Sequence, residues 1–151
     1  MPNLKPATLA TIFSEVLANL AFMFTEDEPA DPEVGDLWYE TVVSYEGPQR
    51  GTLRLRCSAA FTVKLAANLL GVDQDESEAE RQAEDSVKEF MNILCGQFVT
   101  AVHGTADVYN LSIPKMLPMT EMPDLNLPDS LERATLSVDG HRLQLVYEPG
   151  R

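Results

Sequence analysis

Between about Glu78 and His103 the chain places Val87, Phe90, Met91, Leu94, Phe98 and Ala101 at helical spacing. On a wheel of 100° per residue with Glu89 at zero, these six fall between about 100° and 200°. Gln82, Asp85, Asn92 and Gly96 lie within about 60° of Glu89, so the helix is apolar on one side and polar on the other. Such a long one-sided helix must lie on a second apolar layer, which limits the chain to architectures that supply one. Ser77 and Glu80 have the spacing of a capping box and start this helix near Glu78. His103 and Gly104 suit its last turn, where a partly cationic side chain and a glycine are both favourable.

The remaining segments supply the layer. Leu9, Ile12, Phe13, Val16, Leu17 and Leu20 recur at 3.6-residue spacing, which predicts an amphipathic helix to about Phe24 with Thr8 as its cap. An acidic connector, about 25–36, follows: Glu26 to Asp36 hold six acids, two prolines and no base. Trp38 to Tyr45 is aromatic and β-branched, and after Gly47-Pro48 the residues Leu53, Leu55 and Cys57 alternate with Arg54 and Arg56, giving strand, turn and strand. Ala59 to Leu70 reads as a helix stopped by Gly71. Tyr109, Leu111 and Ile113 alternate as a short strand. A proline-rich loop, about 114–130, then carries Pro114, Pro118, Pro123 and Pro128, which exclude a continuous helix or central strand. Ala134 to Val138 and Arg142 to Tyr147 flank Asp139-Gly140, a two-residue hairpin signal. The order predicts a single α+β domain over residues 1–151, two layers deep, with a largely antiparallel sheet and long helices on one face.

With 151 residues the chain buries enough surface to fold without staples. Its 24 Asp and Glu against 11 Lys and Arg leave a net charge of −13. That charge repels phosphate backbones and anionic lipid, so nucleic acid and membrane surfaces are poor partners, whereas a basic protein patch is a suitable one. Two cysteines, Cys57 and Cys95, in separate elements and in no CxxC pattern, fit reduced core thiols of a cytoplasmic protein. The most apolar stretch, Leu17 to Phe24, is too short to span a bilayer, and no signal peptide is expected.

Metal and nucleophile chemistry find little support. Asp73, Asp75, Ser77 and Glu84 fall in an EF-hand register, but Glu78 stands where the loop needs glycine. His103 and His141 lack neighbouring ligands at zinc spacing and are expected to be structural. No GxSxG, GxxxxGK[ST] or GxGxxG sequence occurs. The stripe Phe13, Val16, Leu17 and Leu20 is expected in the core and not on lipid.

Taken blindly, Asp85, Glu89 and Asn92 are the solvated face of a helix. Their order carries more information. Asp85, Glu89 four later, Asn92 three later and Pro114 a further 22 residues on together resemble the signature of the CheC/CheX/FliY chemotaxis phosphatases. Ala67-Asn68-Leu69-Leu70-Gly71 and Leu111-Ser112-Ile113-Pro114 are similar to the CheX branch. The resemblance implies a protein that removes phosphate from the aspartate of a CheY-like response-regulator receiver in chemotaxis or two-component signalling. It makes Glu89 and Asn92 the catalytic pair, and gives Asp85 and Pro114 signature positions of structural kind. Asp85 also shares the partner-facing surface with Gly96, where a missing side chain would admit another protein's backbone. No cofactor of its own is implied; Mg²⁺ is expected in the phosphorylated receiver.

The chemistry suits the residue types. Hydrolysis of an aspartyl phosphate whose charge is already neutralised chiefly needs a water held in line with the phosphorus. The Asn92 amide orients water without adding negative charge, and the Glu89 carboxylate accepts a bond from the receiver's lysine. The first helix does not repeat the pattern, because Glu15 and Asn19 are four apart. The resemblance also admits a homodimer through joined sheets, with Trp38 to Tyr45 or the terminal hairpin as the edge. Two other functions fit the same residues: a non-catalytic adaptor that docks on a receiver, and a structural module with no receiver partner.

Overall fold

Alternation of apolar and polar residues sets the sheet, and helical spacing sets the layer above it. The computed structural model describes residues 5, 7–27, 29, 35–73 and 75–150. Along the chain run α1 (Thr8–Ala21), β1 (Trp38–Glu46), β2 (Gly51–Ser58), α2 (Ala59–Leu70), α3 (Ser77–Arg81), α4 (Ala83–His103), β3 (Asn110–Leu111), β4 (Lys115–Pro118), β5 (Arg133–Val138) and β6 (His141–Pro149). All strand pairs are antiparallel, in the order β3, β1, β2, β6, β5, with β4 also paired to β1. The α+β expectation holds.

Register assigns the faces. Val43 opposes Leu53 and Leu53 opposes Tyr147; Leu55 opposes Leu145 and Leu145 opposes Ala134. These side chains are buried in one cluster with Phe13, Leu17, Phe61, Leu65, Phe90, Leu94 and Phe98 of the helices. Complete burial of one such side chain contributes roughly 1.5–3 kcal/mol, so the shared cluster dominates stability. Cys57 and Cys95 are both fully buried within it. On the opposite face Glu40 receives hydrogen bonds from Arg54 (2.8 Å) and Arg56 (2.7 Å), and Arg54 also pairs with Glu148. Burial alone would raise the Glu40 pKa, but the bonds from Arg56 and Arg54 outweigh it and hold the carboxyl below its usual range. The proline-rich segment covers part of this face: the carbonyls of Leu125 and Asp124 accept from Arg142 and Gln144, and Leu125 itself is buried.

Local signals succeed where one residue decides the conformation. Ser58 caps α2 by accepting from the Phe61 N–H at 3.2 Å, and Gly71 ends that helix at φ +71°. Asp139 (φ 48°) and Gly140 (φ 81°) make the tight turn between β5 and β6.

Elsewhere the structure corrects the expectation. Thr8 is the first helical residue of α1 and its hydroxyl accepts from the Lys5 N–H, so it is no cap, and the helix stops at Ala21 because Phe22 turns left-handed. Ser77 and Glu80 form no capping box: Glu76 holds the cap position without a side-chain bond, and the helix breaks at Gln82 before α4 begins. Like charges at i,i+4, Glu76 with Glu80 and Glu80 with Glu84, work against a single unbroken helix there. Ala101 is exposed, and Cys95 and Val99 are buried with the core side of α4. The alternation Tyr109, Leu111, Ile113 does not persist as a strand, since only Asn110–Leu111 pairs with β1. The proline-rich loop opens with the strand β4 between Pro114 and Pro118.

The sheet edges also differ. Trp38 to Tyr45 is not an edge, because β1 is paired on both sides. In the terminal hairpin, β5 is outermost but its free side is occupied: Ser137 O accepts from the Glu26 N–H (2.7 Å), Asp129 accepts from the Thr135 N–H (2.9 Å), and Arg133 O accepts from the Ser130 N–H (2.8 Å). These contacts use three of the outward backbone groups of β5, the outermost strand that the terminal hairpin was expected to supply.

Candidate functional site

Three pins set the rotation of α4. Phe90 meets Phe13 of α1 with ring centroids 5.9 Å apart, Phe98 packs on Tyr147 at 4.7 Å, and His103 Nε2 bonds the Tyr45 hydroxyl at 2.7 Å. Phe90 and Met91, between the two residues of interest, are fully buried. With those positions turned inward, helix geometry turns Asp85, Glu89 and Asn92 outward, and all three are exposed.

Glu89 and Asn92 line an open depression of about 480 Å³. Asp85 and Lys88 complete its helical side; Leu111, Ser112, Ile113 and Pro114 form the opposite wall. That wall is a gap in the edge of the sheet. β3 pairs with β1 at Tyr45 and Glu46, β4 pairs with β1 from Tyr39 to Val42, and the chain between them leaves the ladder. Ser112 ties the gap down: its N–H donates to Ser44 O at 2.8 Å, and its Oγ accepts from the Ser44 N–H at 2.9 Å. Pro114 has no N–H to give a ladder, so the sequence itself interrupts the strand where α4 passes.

The electrostatics are one-sided. Lys88 donates to Glu84 at 2.8 Å, an i,i+4 pair that partly neutralises the one cation lining the depression among the described residues. Asp85 and Glu84 occupy the first turn of α4, where the helix dipole favours negative charge. Beneath the site, burial pushes the Cys95 thiol up to about 12, so it remains protonated and unreactive. Burial also raises the Tyr45 phenol and lowers His103, which keeps both partners of that bond neutral near pH 7.

The structure therefore brings together Asp85, Glu89, Asn92 and Pro114. Gly96 lies further along the same face, where, among the described residues, an added Cβ would meet nothing within 4 Å beyond its own helix backbone and chain neighbours. Glu15 and Asn19 lie elsewhere, in a groove of about 300 Å³ between α1 and α4. His141 stacks edge-on to Phe61, and His103 is the pin already described. Lys88, Ser112 and Ile113 were not legible as site residues. The spacing of Pro114 from Asn92 was the available signal, because a proline in an edge strand implies an unpaired neighbour.

The strand order, the helix layer and the outward polar face define a domain of the CheC/CheX/FliY class. The profile of the chemotaxis phosphatase CheX family matches residues 39–127, and the chain belongs to that family. A chemotaxis protein CheX from Desulfovibrio desulfuricans superposes with a TM-score of 0.68 at 13% identity, covering 96% of this chain and 99% of the other. A CheX–CheY–BeF3–Mg²⁺ complex from Borrelia burgdorferi gives 0.65 at 17% identity, covering 95% and 96%. CheX from Vibrio vulnificus gives 0.64 at 13%, covering 93% and 96%. No curated protein sequence matches the chain. Among the described residues no helix is long and apolar enough to cross a membrane.

Proposed function

We propose that the chain hydrolyses the aspartyl phosphate of a CheY-like receiver, with Asn92 orienting the attacking water and Glu89 anchoring the receiver's lysine. The observation that carries this reading is the exposure of Glu89 and Asn92 side by side in one depression, opposite Pro114, in a chain of the CheX family. The Borrelia burgdorferi relative, whose structure holds CheY, supports the partner class.

In this reading α4 enters the receiver's phosphorylation site. The Asn92 carbonyl accepts from a water and fixes it in line with the phosphorus. The water oxygen bonds to phosphorus as the P–O bond to the aspartate breaks, which releases inorganic phosphate and restores the carboxylate. Glu89 accepts a charge-assisted bond from the lysine, worth on the order of 1.5–3 kcal/mol, and so fixes the distance of approach. Magnesium belongs to the receiver. Asp85 stabilises the start of α4 at the rim of the contact, and Gly96 leaves room for the partner's backbone.

The decay of radiolabelled phosphate on a receiver, with and without the chain, tests the proposal. Accelerated decay that disappears in Asn92→Ala supports it, with receiver binding retained in Asn92→Ala and weakened in Glu89→Ala. Decay that is unchanged or slowed while binding persists identifies a docking adaptor instead.

A further inference from the structure

Ile113 is 85% exposed, although it lies on a tightly held stretch of backbone. Ser112 on one side is bonded twice to Ser44, and Lys115 on the other pairs with Val42. Pro114 fixes its own φ and keeps Ile113 extended. An isoleucine on a mobile tip would be an ordinary surface residue; this one is presented rigidly, on the rim of the depression that Glu89 and Asn92 line.

Charge leaves room for an apolar contact there. The chain carries −13, the depression holds Asp85 and Glu89, and its Lys88 is paired with Glu84. In the receiver the phosphoryl charge is already met by Mg²⁺ and a lysine, so this acidic face gains little from general attraction.

Resting on the receiver reading above, we infer that Ile113 is the apolar anchor of docking: it seats in an apolar recess of the receiver beside the phosphorylated aspartate and sets affinity, while Glu89 and Asn92 set chemistry. Val108 supplies a control. It is 81% exposed on the same connection, yet it does not line the depression.

The probe is each CheY-type receiver of the source cell loaded with beryllofluoride and magnesium, titrated with the wild type, Ile113→Ala, Ile113→Asp and Val108→Asp. Turnover of the phosphorylated receiver is measured beside it. The exposure of Ile113 means that its substitution leaves the core intact, which a melting curve checks. Ile113→Ala is expected to raise KM about tenfold with kcat within about twofold, and Ile113→Asp to weaken binding about a hundredfold, with Val108→Asp unchanged. Binding by Ile113→Asp within about threefold of wild type overturns the anchor and leaves the phosphatase reading standing. Binding that depends on Ile113 without accelerated decay removes the phosphatase reading and keeps the anchor. A wild type that binds none of the receivers removes both.

Discussion

Replacing Asn92 by alanine separates the fold from the chemistry, because the two respond in opposite directions. The side chain is exposed in the interior of α4, clear of the buried face that Phe90, Met91 and Leu94 form. Alanine is the better helix former by about 0.5 kcal/mol, so the variant gains stability of that order. For a domain of this size that raises Tm by about 1–2 °C. Losing one preorganised polar group from a phosphoryl-transfer site costs far more, about 2.7–4 kcal/mol of barrier, or a 10²–10³-fold fall in rate. Thermal melts and radiolabelled decay on the same preparation read both quantities. Asn92→Asp is the companion: nearly the same shape, but its charge beside the phosphoryl group predicts a comparable loss. Equal decay with wild type and Asn92→Ala would refute the catalytic role; loss of activity together with a lowered Tm would refute the claim that the residue is free of the core.

Three further outcomes follow from the packing. Gly96→Ala should stabilise the chain by about 1 kcal/mol in urea titration, since the helix gains alanine and the new Cβ meets nothing, yet it should weaken receiver binding if a partner's backbone approaches there. Thr41→Val should be neutral or stabilising by about 1–2 kcal/mol, because the Thr41 Oγ1 is buried without a hydrogen-bond partner; destabilisation beyond about 1 kcal/mol would contradict that geometry. Burial lowers the His103 pKa below its unfolded value near 6.5, so its contribution is fully present above about pH 6.5 and is lost as pH falls through the lower folded value. Urea midpoints of wild type should therefore drop between pH 7 and 5 more steeply than those of His103→Gln.

How much of this was legible depended on whether one residue or several decide a conformation. Asp139-Gly140, Gly71 and the alternation of Leu53, Leu55 and Cys57 act through local sterics and a two-residue period, and their elements fall where expected. The break at Gln82 and the stop at Phe22 were not legible: each weighs weak helix preferences against contacts made by other segments, such as the bond from the Asn68 side chain to Ala21 O. For the site, helical spacing alone puts Glu89 and Asn92 on one face, where both are exposed. Its other wall could not be read, because it arises where two short strands share one neighbour and the chain between them is left over.

The two faces of α4 answer to different demands. Whatever lies inward is locked by rings from α1, β1 and β6, so an alteration there disturbs everything at once. Outward, Asp85, Glu89 and Asn92 are exposed, so a change there disturbs little of the fold. The rim can thus be altered one residue at a time while the underside of the same helix keeps Glu89 and Asn92 aimed outward.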